Sequence, residues 1–478
     1  MSILTCVTNF KKRAGRAFAR ARVRSTAPLF ESLETRALLS TYTVTNQSAD
    51  RNMRGSLPWA VQQSNYTTPG LDFITFNIPG AGVHPIILND TLYLNDRVVI
   101  DGTSQPGYNG SPLIYVQGSS ATPSLFLLQN DPSQGTTSSG STVQGLGMYA
   151  YTANAVTIFA GSTGNFIQNN WMGFYLDATN GNGPYLTTAV FNSSPAGVGI
   201  QSSFNTIRGN TISGVYNGII MGAGLNPTSI DSVTNSIQGN NIGTDPTGST
   251  SANYGNQSDG IFLGTGSRRN FLGPDNVLSG NASSGVELLH SSNTGNVIFR
   301  NKIGTDRSGN FPIGNGELGV LLANGASGNA VGGPFGGNLI SGNSLGGVSL
   351  GTELFGGASA NYVQYNIVGL NGSRSGVIGR QNLGISIAFA SNRNVIESNV
   401  VAGHVSHGIL MANSESNYVY GNYIGQNGDG PWIANGGYGI VLLTGASRNF
   451  IVSTAYGLNR QGNLFVDRGA VGNDIRQA

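Results

Sequence analysis

The chain has 478 residues, of which 72 are glycine and only 10% are charged, a composition that excludes one compact core and a helical bundle. Residues 1–40 carry eight basic and two acidic side chains, a net charge of 8 − 2 = +6, so the remaining chain carries 2 − 6 = −4. This faintly acidic body argues against nucleic acid as a partner, because phosphate binding requires clustered Lys and Arg. The single cysteine, Cys6, excludes disulfides and thiolate metal sites from the body, and no apolar run approaches the roughly 20 residues of a transmembrane span.

Residues 1–40 are basic and end in an apolar patch that is too short for an ordinary secretory signal. They are nevertheless predicted to be a basic export or targeting segment, disordered or removed, because of a resemblance in their last twelve residues. The alternative is a disordered basic tail. The stretch "LFESLETRALLS" (29–40) resembles the LEPR-x-LL motif at the N-terminus of large surface and exported proteins of planctomycete-like bacteria. The matching residues are Leu33, Glu34, Arg36, Leu38 and Leu39, with Thr35 in place of the usual Pro. The resemblance implies an extracellular or cell-surface location.

Residues 41–135 are expected to hold an N-terminal cap and the first coils of a repeat. The segment "GSLPWAVQQSN" (55–65) predicts a short amphipathic helix with Leu57, Ala60 and Val61 on one side. "LDFITFNIPGAGVHPIIL" and "RVVIDGTSQPGYNG" predict the first strands. Residues 455–478 lack the repeat and are expected to form a C-terminal cap or tail, since a solenoid must close its ends.

Two short patterns alternate through residues 136–454. The first, Asn-x-Ile-x-x-Asn-x-Ile, appears in copies such as "NTIRGNTI" (205), "NSIQGNNI" (235), "NVIFRNKI" (296) and "NYVYGNYI" (417). The second is Gly followed by alternating apolar residues, as in "GIFL" (260), "GVEL" (285) and "GIVL" (439). Units of this length with period-2 alternation, bounded by Gly and Asn, predict strands.

The shortest spacing between successive glycines of the second pattern is 24 residues, which allows three short strands per repeat and predicts a solenoid. We therefore predict an all-β, right-handed parallel β-helix, a single-stranded solenoid of about ten coils. The repeated Ile positions point inward. The second Asn of each copy lies where the chain turns between strands, and it is expected to tolerate left-handed backbone and to form a side-chain ladder. The ladder residues are Asn210, Asn240, Asn301, Asn366, Asn399 and Asn422.

These repeats, together with "YTVTN", "GSLPWAVQQSN", "DFITFNIPG" and "VVIDGTSQPGYNG", resemble bacterial right-handed parallel β-helix proteins of the pectate-lyase-like superfamily, within it the NosD-like and planctomycete surface groups. The resemblance covers about 41–450. It implies the fold more firmly than a function, because the superfamily includes lyases, hydrolases, epimerases and adhesins. In the lyases, calcium-binding carboxylates and a catalytic Arg or Lys line the outward side of one strand, so calcium is the cofactor implied if this chain is lyase-like; otherwise none is expected.

The outward positions of the Gly-Ile strands contain one carboxylate, Glu287, among 16 positions. Glu287, with Arg300 thirteen residues later, is a candidate catalytic residue. His404 and His407, spaced i, i+3, are candidates for a metal or an acid/base role, with ordinary loop residues as the favoured interpretation. Asp245 and Asp306, in "GTDPTG" and "GTDRSG", are candidate calcium ligands, although an Asp that opens a turn closed by Gly explains them better.

Aromatic residues flank the Ile of the first pattern and are predicted to form a broken stripe on the outer surface. They are Phe166, Phe271, Phe299, Tyr362, Tyr418, Tyr420 and Phe450, with Trp171 and Tyr423 on the next strand. Exposed rings in a row suit sugar rings, whereas packing against a loop or another molecule is the alternative. The sequence thus favours an exported or cell-surface, non-catalytic scaffold or adhesin that binds polysaccharide or a cell-surface component. A polysaccharide lyase or hydrolase with a loop-built site is the alternative.

Overall fold

A computed structural model gives the fold. It describes residues 39–66, 70–120, 122–176, 184–186, 196–223, 231–379, 381–428, 432–453, 455–456 and 459–477. The coils belong to one compact unit, Leu38–Ala478. The predicted export segment lies outside the described residues except for its last two positions.

Three long parallel sheets follow the chain, and each coil contributes one strand to each sheet in turn. Within the residues that the structure describes, sheet 1 has 15 strands, and sheets 2 and 3 have 13 each. This architecture confirms the predicted right-handed parallel β-helix. It has more coils than the ten expected, because the N-terminal coils keep the inward apolar positions but lack the Asn-x-Ile pattern.

The strands of sheet 1 are Thr41–Val44, Asp72–Phe76, Val98–Asp101, Thr142–Gln144, Phe166–Gln168, Thr206–Arg208, Ser236–Gln238, Phe271–Leu272, Val297–Ile298, Ala330–Gly332, Tyr362–Gln364, Val395–Glu397, Tyr418–Tyr420, Phe450–Ser453 and Asp474–Gln477. Those of sheet 2 are His84–Ile87, Ile114–Gln117, Leu146–Tyr149, Trp171–Met172, Thr211–Ile212, Asn241–Ile242, Val277–Leu278, Lys302–Ile303, Leu339–Ile340, Ile367–Val368, Val400–Val401, Tyr423–Ile424 and Ala455–Tyr456. Those of sheet 3 are Leu92–Leu94, Ser124–Leu128, Asn154–Ile158, Ala196–Ile200, Asn217–Met221, Ile261–Leu263, Val286–Leu289, Leu318–Ala323, Gly346–Leu350, Leu383–Ile387, Ile409–Met411, Tyr438–Leu442 and Gly462–Val466.

Shorter elements decorate the coils. In the described part of the chain, four two-stranded sheets pair Asn130–Asp131 with Thr136–Thr137, Phe174–Leu176 with Pro184–Leu186, Ser232–Val233 with Ser267–Arg268, and Ser414–Glu415 with Ala446–Ser447. A 3-10 turn covers Gly102–Ser104. Among the described residues, no helix combines the length and the hydropathy needed to cross a bilayer.

Helix α1, Leu57–Tyr66, is the predicted amphipathic helix. Ser56 caps its N-terminus, because its Oγ accepts a hydrogen bond from the Trp59 N–H at 3.1 Å. Leu57, Ala60 and Val61 are buried, and the helix packs against the first strands of sheets 1 and 3. It therefore covers apolar surface at the first coils.

The core is a stack of inward Ile, Leu and Val side chains. In sheet 1, Ile237, Leu272 and Ile298 are register partners on successive coils, and all three are fully buried. Each such side chain stabilises the fold by about 1.5–3 kcal/mol relative to an exposed one. Coils of different length keep this register because inserted residues leave the stack as loops.

The second Asn of each repeat lies in a ladder at the turn between sheets 1 and 2. The backbone N and Nδ2 of Asn240 both donate to Oδ1 of Asn276 at 3.0 Å, and Nδ2 also donates to the Ile207 carbonyl at 2.9 Å. In chain order the ladder is Asn170, Asn210, Asn240, Asn276, Asn301, Asn338, Asn366, Asn399 and Asn422. It contains the six predicted residues and three more, Asn170, Asn276 and Asn338.

The first Asn of each repeat forms a second ladder, which is not among the sequence predictions. It lies at the turn that enters sheet 1. Its members are Asn165, Asn205, Asn235, Asn270, Asn296, Asn329, Asn361, Asn394, Asn417, Asn449 and Asn473. Two hydrogen-bonded columns therefore hold both ends of every central sheet 1 strand.

The left-handed backbone conformation occurs at the residue before the ladder Asn and not at the Asn itself, where it was expected. In most described copies the residue before the ladder Asn has positive φ, as at Tyr365 (59°) and Arg300 (51°). The Asn is therefore selected for its amide, which bridges neighbouring coils, and the preceding residue makes the turn.

The described part of 455–478, expected to form a cap or tail, continues the coils. Gly462–Val466 pairs with Tyr438–Leu442 in sheet 3, and Asp474–Gln477 pairs with Phe450–Ser453 in sheet 1.

Candidate functional site

Part of the predicted aromatic stripe forms a compact surface on sheet 1. Tyr362, Val395, Tyr418 and Phe450 occupy one outward column on four successive coils. Tyr362 is 45% exposed and Tyr418 is 48% exposed, and the rings of Tyr418 and Phe450 lie 6.1 Å apart. We use the name tyrosine face for the surface made by Tyr362, Tyr365, Tyr418, Tyr420 and Phe450.

A polar column runs beside these rings. Gln364 Nε2 donates to Glu397 Oε2 at 2.6 Å. Burial raises the pKa of Tyr420, and its hydrogen bond to Glu397 and the nearby charge of Glu397 raise it further. Tyr420 and Gln364 therefore hold the Glu397 carboxylate between them, next to the exposed rings of the tyrosine face.

Tyr365 belongs to this surface, although it is not part of the predicted aromatic stripe. It is 50% exposed and precedes the ladder residue Asn366 with φ 59°. A residue that makes this turn points its side chain outward. An aromatic residue just before a ladder Asn therefore indicates an exposed ring, and this sequence position identifies Tyr365.

Two other aromatics of the predicted stripe share the outward column but lie apart from the tyrosine face. Phe271 is separated from Tyr362 by Val297 and Ala330 on the intervening coils. Phe166 lies several coils earlier, and the Arg208 guanidinium covers its ring at 5.8 Å.

The remaining predicted aromatics lie off this column. Phe299 follows its sheet 1 strand and packs on Phe335 at 5.8 Å. Trp171 and Tyr423 are on sheet 2, and Trp171 stacks on Phe174 at 5.6 Å. The structure therefore does not bring all nine predicted residues together.

Glu287 has a carboxyl partner, Asp259, that is not among the predicted site residues. It lies outward on sheet 3, and Asp259 lies one coil earlier, just before the strand Ile261–Leu263. Glu287 is 8% exposed and Asp259 4% exposed. Asp259 Oδ1 accepts the Ser284 N–H at 3.0 Å, and its Oδ2 accepts the Ser258 hydroxyl at 3.2 Å. We call Asp259 and Glu287 the carboxyl pair.

The two groups of the carboxyl pair share a hydrogen bond and therefore a proton. Burial, the charge of Asp259 and the hydrogen bond to Asp259 raise the pKa of Glu287 to about 8, and Glu317 contributes further. Burial also raises the pKa of Asp259, although its hydrogen bonds oppose the shift. Near neutral pH the pair thus carries a proton on Glu287. The Asp259 carboxyl beside it accepts hydrogen bonds from a backbone N–H and a serine hydroxyl.

Arg300 does not join Glu287. It is exposed, with φ 51°, in the turn between sheets 1 and 2, whereas Glu287 lies on the outer side of sheet 3. The predicted pairing of these two residues has no support in the geometry.

The two histidines have separate structural environments. His404 lies in the turn between sheets 2 and 3, where its backbone N–H donates to Asn435 Oδ1 at 3.1 Å. Complete burial of the imidazole lowers its pKa to about 3. His407 is half-buried, its Nδ1 accepts the Tyr438 N–H at 2.9 Å, and its ring stacks on Tyr438. Burial lowers the pKa of His407 as well.

Asp245 and Asp306 each hold their own loop. Asp306 Oδ1 accepts the N–H groups of Asn310 and Phe311, both at 2.9 Å, and Oδ2 accepts the Ser308 hydroxyl at 2.6 Å. Asp245 makes the equivalent bonds within its loop. These hydrogen bonds lower the pKa of both carboxyls against the effect of burial.

Calcium needs six to eight oxygen ligands. Over the described ranges, no three or more His, Cys, Asp or Glu side chains converge as a metal site would require. With their oxygens already used within the loops, Asp245 and Asp306 do not fit a calcium site.

No family model and no curated sequence matches the chain. Among solved structures, the Dettilon tailspike protein (gp208) is 14% identical with a TM-score of 0.47; the alignment covers 83% of this chain and 62% of the tailspike, so the chain spans about three fifths of it. The Azotobacter vinelandii mannuronan C-5 epimerase AlgE4 A-module is 12% identical (TM-score 0.46; 91% and 100% covered). DFA-IIIase from Arthrobacter chlorophenolicus A6 is 15% identical (TM-score 0.45; 91% and 98% covered).

Similarities with such low sequence identity and TM-score concern the fold alone. The three parallel sheets of this chain already define that fold. The chain is a right-handed parallel β-helix.

Proposed function

We propose that the protein is an exported or cell-surface β-helix that binds polysaccharide on the tyrosine face and acts as a non-catalytic scaffold or adhesin. One observation carries this proposal. Tyr362 and Tyr418 lie half-exposed in the same outward column, two coils apart, which is about 10 Å at the strand spacing of a sheet. Two rings at this spacing suit the faces of sugars along an extended chain.

The chemistry around the rings supports a sugar ligand. A tyrosine ring offers an apolar face, and its hydroxyl offers a polar edge. Glu397 and Gln364 lie beside the rings, where they can accept and donate hydrogen bonds to sugar hydroxyls. The net charge of −4 outside the first 40 residues argues against nucleic acid as the ligand. The proposed surface location is based on the sequence motif at residues 29–40.

Affinity electrophoresis of the full chain through a panel of neutral and acidic polysaccharides tests the proposal. We expect one polysaccharide to retard the protein, and Tyr362→Ala and Tyr418→Ala each to weaken binding about tenfold, because aromatic contacts contribute about 0.5–1.5 kcal/mol. Tyr216→Ala, which removes an exposed ring elsewhere, is the matched control. Absence of retardation by every polysaccharide, or equal retardation of all variants, contradicts the proposal.

The carboxyl pair favours a second candidate function, cleavage of polysaccharide with Glu287 as proton donor. A carboxyl group that stays protonated near neutral pH is suited to protonate a leaving oxygen. The geometry argues against this second function. The two carboxyls of the pair are hydrogen-bonded and therefore closer together than the roughly 5 Å that separates the catalytic carboxyls of retaining glycosidases. Release of reducing ends or unsaturated products by the wild-type chain but not by Glu287→Gln would replace the non-catalytic proposal with this one.

A further inference from the structure

A polar groove lies beside helix α1, at the N-terminal coils. It is enclosed by the loop 49–52, one side of helix α1, the strand Leu92–Leu94 with its preceding turn, and the hairpin that contains Asp131. Its volume is about 660 Å³, within the range of roughly 300–1,000 Å³ typical of ligand sites. We call it the cap groove.

The walls of the cap groove are fixed by hydrogen bonds between elements. Asn65 of helix α1 donates from Nδ2 to the Tyr93 carbonyl at 2.7 Å and accepts the Asn95 N–H at Oδ1 at 2.9 Å. Gln129 Nε2 in turn donates to Asn95 Oδ1 at 3.1 Å. The helix and the first strand of sheet 3 are thereby held at one separation, so a ligand meets a preformed site.

Two exposed tyrosines border the cap groove, and amides line it. Tyr66 is 76% exposed and Tyr93 43% exposed, and both line the groove with Gln62. A concave site with exposed rings and amide donors and acceptors matches the mixed apolar and hydroxyl surface of a sugar.

The charges of the cap groove restrict the kind of sugar. Arg51 and Asp90 pair at 3.5 Å at its border, which leaves the carboxylates of Asp50 and Asp131 without a basic partner among the lining residues. Hydrogen bonding from Ser133 lowers the pKa of Asp131, so this carboxyl is ionised at neutral pH. The surplus negative charge repels uronates and sulfated sugars.

We propose that the cap groove binds a short oligosaccharide without acidic groups, as a site separate from the tyrosine face. The two sites are on different sheets. The groove is also distinct from the carboxyl pair, since Tyr93 and Glu287 are six register steps apart on sheet 3, or about 29 Å at the strand spacing.

Calorimetric titration of the full chain with cellotetraose, chitosan tetrasaccharide and tetragalacturonate tests this inference. We expect saturable binding of the first or second and none of the third. Tyr93→Ala should weaken binding about tenfold, whereas Tyr93→Phe keeps the ring and most of the affinity. Gln62→Ala removes a groove-lining amide from helix α1 and should also weaken binding. This second variant leaves the strand Leu92–Leu94 unchanged. Tyr418→Ala should have no effect, which separates this site from the tyrosine face.

Three results would overturn the inference. One is absence of saturable binding of both non-acidic tetrasaccharides. Another is binding that Tyr93→Ala and Gln62→Ala leave unchanged or that Tyr418→Ala abolishes. The third is binding of tetragalacturonate at least as tight as that of the other two.

Discussion

At the scale of single residues, neighbouring coils decide the chemistry of an outward side chain. The register partners of Glu287 are Phe262 and Leu321, so its carboxyl lies between apolar side chains. The folded protein holds the Glu287 proton up to about pH 8, whereas an unfolded chain releases it near the ordinary value of 4.5. The folded state binds the extra proton, so this stabilisation is complete below the unfolded pKa and is lost as pH rises through the folded one.

We therefore expect Glu287→Gln, which keeps a hydrogen-bond donor for Asp259, to flatten the dependence of stability on pH. The thermal midpoint of the wild type should fall between about pH 5 and pH 8 more steeply than that of the variant. Glu317→Gln removes an exposed carboxyl and should keep nearly the wild-type slope. Parallel profiles for wild type and Glu287→Gln would show that the pair does not share a proton.

At the scale of elements, the ladder at the turn between sheets 1 and 2 connects strands of these two sheets that are only two or three residues long. Asn301 donates to Asn338 Oδ1 and to the Leu272 carbonyl at 2.8 Å, and it accepts from Asn276 at 2.9 Å. Replacing this buried amide leaves several polar groups on neighbouring coils without partners. Each unsatisfied buried group costs about 1–3 kcal/mol.

We expect Asn301→Ala to lower the free energy of unfolding by about 3 kcal/mol or more. Asn310→Ala, at an exposed loop position, should change it by less than about 0.5 kcal/mol. Thermal and urea denaturation of the two variants beside the wild type measures the difference. If the two substitutions cost the same, the ladder contributes no more than surface asparagines do.

The loop opened by Asp306 gives a second prediction for an element. Because its carboxylate is satisfied by the loop's own N–H and hydroxyl groups, calcium should not bind there. Millimolar calcium or a chelator should leave the thermal midpoint unchanged, whereas Asp306→Ala should increase hydrogen exchange at Asn310 and Phe311. A calcium-dependent rise of the midpoint that Asp306→Ala abolishes would restore the metal interpretation.

The sequence predicts these elements better than it predicts the site. Ile and Asn positions recur within each coil, so their roles in sheet 1 and at its turns follow from local spacing. Asp259 and Glu287 meet only across coils, and the distance along the chain from Phe262 to Glu287 differs from that between Glu287 and Leu321. Variable loop lengths hide such contacts, because no fixed sequence spacing identifies residues that share a column.

At the scale of the whole molecule, a solenoid turns successive coils into a linear array of equivalent positions. From Tyr362 to Phe450 the outward column of the tyrosine face spans three register steps, or about 14 Å. Its contacts are spread along the coil axis, so a polysaccharide on this surface would follow the axis and meet one ring after another.

The length of ligand needed for full affinity follows from this array. For the polysaccharide retained in electrophoresis, affinity should rise with oligosaccharide length until the chain spans Tyr362 to Phe450, and then level off. Phe450→Ala should shorten the length at which affinity levels off, whereas Tyr216→Ala should leave it unchanged. Calorimetry with a series of oligosaccharides measures this length. Equal affinity for a disaccharide and for long chains would instead locate binding in a single pocket and exclude the extended tyrosine face as the binding surface.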